Sequence, residues 1–153
     1  MKIITEVGTQ PPEILFVVKS NLLKYDNVLQ TIQDMLQYVL DELSTLLTIW
    51  INSKIPKDTG LLRSDILKSL RENSEITAYI LKMLLKTDLE YAERVAAMDT
   101  FQVRHIIDPE AIGNFWMELE LYTKEMLMTI LQRSIDEYFG GIGKLMRKVR
   151  GVE

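Results

Sequence analysis

An apolar stripe that ends at a proline constrains this chain more than any other feature. Val28, Leu29, Ile32, Met35, Leu36, Val39, Leu40, Leu43, Leu46, Leu47 and Trp50 recur at spacings of three and four. That spacing puts them on one face of a helix with 3.6 residues per turn. Pro56 cannot continue such a helix, because its ring clashes with the preceding turn and it has no N–H to donate. Asp26 supplies a capping side chain at the other end. The spacing therefore predicts a helix over 26–54, about 43 Å long at 1.5 Å per residue. Its far side carries Tyr38, Thr45, Thr48 and Ile49 with few charges after Glu42, a hint that the far end is buried in a second contact.

A second helical period runs from Asn114 to Phe139 through Phe115, Leu119, Tyr122, Met126, Leu127, Ile130, Leu131 and Ile135. Gly140-Gly141 ends it in the manner of a glycine C-cap. The segment between the two helices is mixed. Residues 56–66 read as a turn and then a short helix or ordered bend, with Asp58 and Thr59 as capping oxygens and Gly60 tolerating positive φ. In 75–87, KMLLK favours helix, but Ile76, Thr77, Tyr79, Ile80 and Leu81 favour strand, and the alternation predicts strand. Residues 89–98 have helical composition. Phe101–Ile107 alternates and is read as a second strand, ended by Asp108-Pro109.

At the N-terminus, MKIITEVGTQPP reads as an arm or edge strand broken by Gly8 and Pro11-Pro12. Segment 13–24 is apolar but too short to assign to helix or strand. The order predicts an α+β domain, with a long N-terminal and a long C-terminal helix packed on a small antiparallel sheet. An all-α bundle is the alternative. The corresponding division is an arm at 1–25, one domain at 26–139 and a basic tail at 140–153.

Composition removes several function classes. A chain of 153 residues, 47% hydrophobic and 26% charged, has the make-up of one globular domain. It has no Cys and one His, which removes disulfides, thiolate chemistry and multi-His metal sites. A net charge of −4 means the surface as a whole is no nucleic-acid footprint. No apolar run approaches the roughly 18 residues of a membrane span. The first residues lack the apolar core of a signal peptide, so the chain is expected to stay soluble in the cytoplasm.

No grouping of residues converges on chemistry. Glu118 and Glu120 lie on opposite sides of a helix. Asp88, Glu90 and Glu93 cluster near a turn but lack the glycine and ligand spacing of a calcium loop. His105, inside an apolar alternation, reads as a half-buried strand residue with no partner pair nearby. Ser64 and Ser134 have no nucleophile context. Gly140-Gly141-Ile142-Gly143-Lys144 follows a helix and lacks the spacing of a phosphate loop. The expectation is no cofactor, no metal and no enzyme. Lys144, Arg147, Lys148 and Arg150 in the tail read either as a solubilising helix end or as a contact with DNA or an acidic partner.

Ile55-Pro56-Lys57-Asp58-Thr59-Gly60-Leu61-Leu62-Arg63-Ser64-Asp65-Ile66 resembles the P-x-D-T-G-x-L-R-x-S-I signature of the minor tail component family of tailed phages, whose members act in tail completion, the neck or head–tail joining. Tyr91-Ala92-Glu93-Arg94-Val95 is similar to that family's Y-A-x-x-V segment, and the order of elements agrees over about 26–139. The chain departs after Val95, where the family's E-x-G-T is replaced by Ala96, Ala97, Met98 and Asp99. Asp108-Pro109-Glu110-Ala111 is a loose echo of its Q-P-x-L-x-P-A segment. The resemblance implies a structural virion protein of the neck or tail end, forming a ring of identical copies between neck or connector and tail-tube proteins. The genome DNA would pass through the channel. Assembly would occur in the host cytoplasm, without a membrane. Pro56, Asp58, Thr59, Gly60, Leu61 and Arg63 would shape the interface turn, with Leu61 and Leu62 docked to the core and Arg63 paired to an acid or carbonyl at a subunit boundary. Tyr91 and Ala92 would pack beneath. The alternative is a cytoplasmic helical adaptor or regulator that binds a protein partner through the 26–54 stripe. A sheet over 75–107 favours the first reading, and helix throughout favours the second.

Overall fold

The computed structural model describes residues 2–9, 12–19, 29–57, 60–77, 80–89, 92–108 and 110–140. Four strands and five helices follow in the order β1 (Lys2–Thr9), β2 (Pro12–Lys19), α1 (Leu29–Lys54), α2 (Leu61–Asn73), β3 (Glu75–Thr77), β4 (Ile80–Lys86), α3 (Ala92–Ala97), α4 (Thr100–Ile106) and α5 (Phe115–Phe139). This is an α+β fold with two long helices and a small antiparallel sheet, and the sheet removes the all-α bundle.

The sheet order is β1-β2-β4-β3, antiparallel throughout. It consists of two hairpins joined by the pairing of β2 with β4. The register sets Ile14 opposite Leu85, Phe16 opposite Met83 and Val18 opposite Leu81. All six side chains are buried, so one face of the junction is a ladder of apolar cross-strand pairs. On the alternate positions Glu13 faces Lys86 and Glu75 faces Lys82, which are opposite charges placed to attract across the strands.

Two expectations are corrected here. Residues 12–19 are no separate arm: they form a central strand, so a boundary at residue 26 would cut through the core. The single strand expected over 75–87 is a hairpin, with Thr77 opposite Ile80.

Helix α1 ends two residues before Pro56 and buries Ile32, Met35, Leu36, Val39, Leu43, Leu47 and Ile51. At about 1.5–3 kcal/mol per side chain these seven contribute on the order of 10–20 kcal/mol before chain entropy is subtracted. Helix α5 packs antiparallel along it. Tyr38 meets Tyr138 with ring centroids 5.9 Å apart, and Trp50 stacks on Tyr122 at 5.5 Å. Gly140 closes α5 in the left-handed conformation and donates its N–H back to Asp136 and Ile135, as the double glycine predicts.

Helix α2 seals one sheet edge. Where β3 runs out, the Ser69 hydroxyl accepts from the Lys86 N–H at 2.9 Å and sits 3.4 Å from the Leu84 carbonyl. The backbone of β4 is therefore satisfied without a further strand.

The strand expected over 101–107 is helix α4. Asp99 accepts from the Gln102 backbone N–H at 2.8 Å, and the Gln102 side chain accepts from the Asp99 N–H at 3.0 Å. This reciprocal cap commits the segment to helix, and of its described side chains only Val103 is buried. His105 is accordingly exposed on a helix, stacked on exposed Phe101 at 5.8 Å, and not half-buried in a strand. The middle region thus divides: hairpin over 75–86, helices over 92–106.

Candidate functional site: the turn after the first long helix

Helix α1 leaves its last carbonyl groups without helical partners, and Pro56 prevents the next turn from supplying them. The residue that supplies them is Arg63, one turn into α2. Its Nε donates to the Ile55 carbonyl at 2.6 Å and its Nη1 donates to the Asn52 carbonyl. Its Nη2 lies 3.2 Å from Asp108 Oδ2, and each of the two side chains is only 13% exposed. A planar guanidinium suits this position because its donors diverge in a fixed fork and its charge complements a helix C-terminus.

Asp108 is the second half of the lock. Its Oδ2 also accepts from the Lys57 N–H at 3.0 Å, and its Oδ1 accepts from the Glu110 N–H at 3.1 Å. Nearby, the Ile112 N–H reaches the Lys54 carbonyl at 3.0 Å, and Arg104 Nε donates to the Ala111 carbonyl at 3.0 Å. The α4–α5 connection is therefore sewn to the end of α1. A Cβ on Gly113 would lie 2.1 Å from the Asp99 carbonyl carbon and 2.3 Å from Met98 O and Thr100 N. Only glycine permits that approach.

Pro56 is buried and stops α1. Gly60 has φ 82 with open space where a Cβ would sit, so glycine is favoured there by conformation and not by room. Leu62 is buried as expected, but Leu61 is exposed, because α2 turns that position outward. Ala92 is buried in the core and donates its N–H to the Leu89 carbonyl at 3.1 Å. Asp58, Thr59, Tyr91 and the tail cations Lys144, Arg147, Lys148 and Arg150 lie outside the described residues.

The acid and the carbonyls expected to hold Arg63 at a subunit boundary are therefore all in its own chain. Asp108 is the residue sequence reasoning missed. It stands 45 positions from Arg63, and its local signal, an Asp before Pro109, marks a turn anywhere.

An open cleft of about 210 Å³ lies between α2 and the end of β4, lined by Asp65, Lys68, Ser69, Glu72, Asn73, Lys86 and Asp88. It brings Asp88 to Asp65, whose Oδ2 accepts from the Asp88 N–H at 3.2 Å. The Lys86 Nζ stands 4.0 Å from Asp88 Oδ2. Among the described residues no group of three or more His, Cys, Asp or Glu could hold a metal ion. Glu118 is exposed, while half-buried Glu120 pairs with Lys124 at 2.9 Å. The Ser134 hydroxyl is buried and donates to the Leu131 carbonyl at 2.9 Å. Among the described residues no helix is long and apolar enough to cross a membrane.

The Arg63 and Asp108 side chains tie three stretches of backbone together. Compared with protein-family models, curated proteins and solved structures, the chain matches none.

Proposed function

We propose that this protein is a structural component of the neck or tail end of a tailed virus, and that its copies join head-to-tail into a ring. The observation that carries the reading is the outer side of α5. Met117, Leu121 and Met128 stand exposed there, on a helix that already buries its other side against the core. A helix apolar on two sides is one prepared for a second packing partner. The phage-like turn supports the same reading, since Arg63 and Asp108 hold three segments in register.

In such a ring each copy repeats one heterologous contact by rotation, and closure follows when the rotation divides the circle. One rim would meet neck or connector proteins and the other the tail tube, with the genome DNA passing through the channel. The work is geometric: the protein sets the spacing between two partners and catalyses nothing.

The test is the native mass of the purified chain by light scattering over a range of salt and protein concentrations, with electron microscopy of any large species. A closed ring, formed alone or on addition of connector or tail-tube protein, is the expected result. A monomer that stays inert with both would overturn the reading in favour of a helical adaptor with a different protein partner.

A further inference from the structure

Met117, Leu121 and Met128 are 56%, 49% and 64% exposed. At 100° per residue they fall within about 40° of one another around α5, so they form one stripe. One rim of the stripe is acidic. Glu118 and Glu125 are exposed on one side, and neither has a cationic partner among the described residues. On the other side Lys124 is already neutralised by Glu120 at 2.9 Å. A ligand for this surface needs an apolar edge of matching length and positive charge beside it.

The chain carries such a segment. Beyond Gly140 stand thirteen residues, GIGKLMRKVRGVE, outside the described part. Ile142, Leu145, Met146, Val149 and Val152 recur at helical spacing, with Lys144, Arg147, Lys148 and Arg150 between them. A ring needs a contact that crosses from one copy to the next, and this segment laid on a neighbour's α5 supplies one.

We propose that the outer face of α5 receives the C-terminal segment 141–153 of a second copy, with apolar residues on Met117, Leu121 and Met128 and cations against Glu118 and Glu125. This rests on the ring reading above and names the contact that makes it. The contact is heterologous, tail of one copy to α5 of the next, which is the type that propagates into rings.

The experiment uses three full-length variants with unchanged far-UV circular dichroism: a tail reversal (Lys144→Glu, Arg147→Glu, Lys148→Glu), a face reversal (Glu118→Lys, Glu125→Lys), and both combined. Light scattering reads self-association, and anisotropy of a labelled 141–153 peptide reads docking. Each single reversal is expected to weaken self-association at least about tenfold and the combination to restore it. The peptide should bind the tail-reversed chain, and adding Leu121→Glu to that chain should abolish the binding. If the tail-reversed chain assembles like the parent, the docking is overturned while the ring stands on another interface. If the reversals behave as expected but yield only open chains, the docking stands and the closed ring falls. A parent chain that is monomeric at every concentration, and binds the peptide only after tail reversal, would place the tail on its own α5 and overturn docking between copies. Duplex DNA binding lost on tail reversal while assembly is unchanged would also overturn it.

Discussion

Removing the Arg63 guanidinium tests the account of the turn most directly. In Arg63→Ala two carbonyls at the end of α1 and the Asp108 carboxylate lose a charged donor together. A hydrogen bond involving a charged group is worth about 1.5–3 kcal/mol net, and breaking a fully buried ion pair costs about 3–5 kcal/mol. Here both side chains keep 13% exposure, and Asp108 retains the Lys57 and Glu110 N–H groups. Water therefore relieves part of the loss, and the expected cost is about 3 kcal/mol. For a chain of this size that lowers the melting temperature by about 6–12 °C. Arg63→Lys keeps the charge but not the fork, and should cost about half as much. Urea unfolding followed by far-UV circular dichroism gives the numbers, provided the m value is unchanged. A double-mutant cycle with Asp108→Asn should yield a coupling of about 1–2 kcal/mol. If Arg63→Ala unfolds within about 0.5 kcal/mol of the parent, the guanidinium does not hold α1 to the loop, and the structural account of the motif fails.

Three further outcomes are expected. Gly60→Ala should cost about 1 kcal/mol, since only its positive φ is at stake, whereas Gly113→Ala should leave little soluble folded protein, because its Cβ would meet backbone at 2.1–2.3 Å; equal effects in urea unfolding and expression yield would contradict both explanations. Asp99→Ala removes half of a reciprocal cap and should cost about 1 kcal/mol, with loss of amide protection confined to α4 by hydrogen exchange. Partial burial, then the charges of Asp34 and Glu137, raise the Tyr138 phenol above its ordinary value of 10.0. Because its folded pKa is raised, the folded state holds this proton longer than the unfolded one. The contribution is therefore constant below about pH 10 and is lost as pH rises past that value. Tyr138→Phe should flatten the alkaline limb of a stability-against-pH curve, and an unchanged limb would refute the assignment.

Both long helices were legible without coordinates. A helix is built from bonds between residues four apart, so its stripe, its stop at Pro56 and its end at Gly140 all lie within reach of a short window. The reciprocal cap Asp99–Gln102 is equally local, yet the alternation of 101–107 masks it in the sequence and points to strand. The strand expected over 75–87 kept its type but is two strands, paired with Thr77 opposite Ile80. Pro56, Gly60 and Arg63 were recognisable as a motif; what Arg63 grips was not.

The sequence alone determined where the first long helix stops and where the second runs, how apolar both are, and that a turn of unusual composition joins the first to the rest. Tertiary structure decided the remainder. The pairing of β2 with β4 unites residues about seventy positions apart, and the Arg63–Asp108 lock unites residues 45 apart. Contacts at that separation leave no periodic trace in the chain. They exist because closing the loops is repaid only when many buried pairs form at once, and one of those pairs is visible only when all of them are.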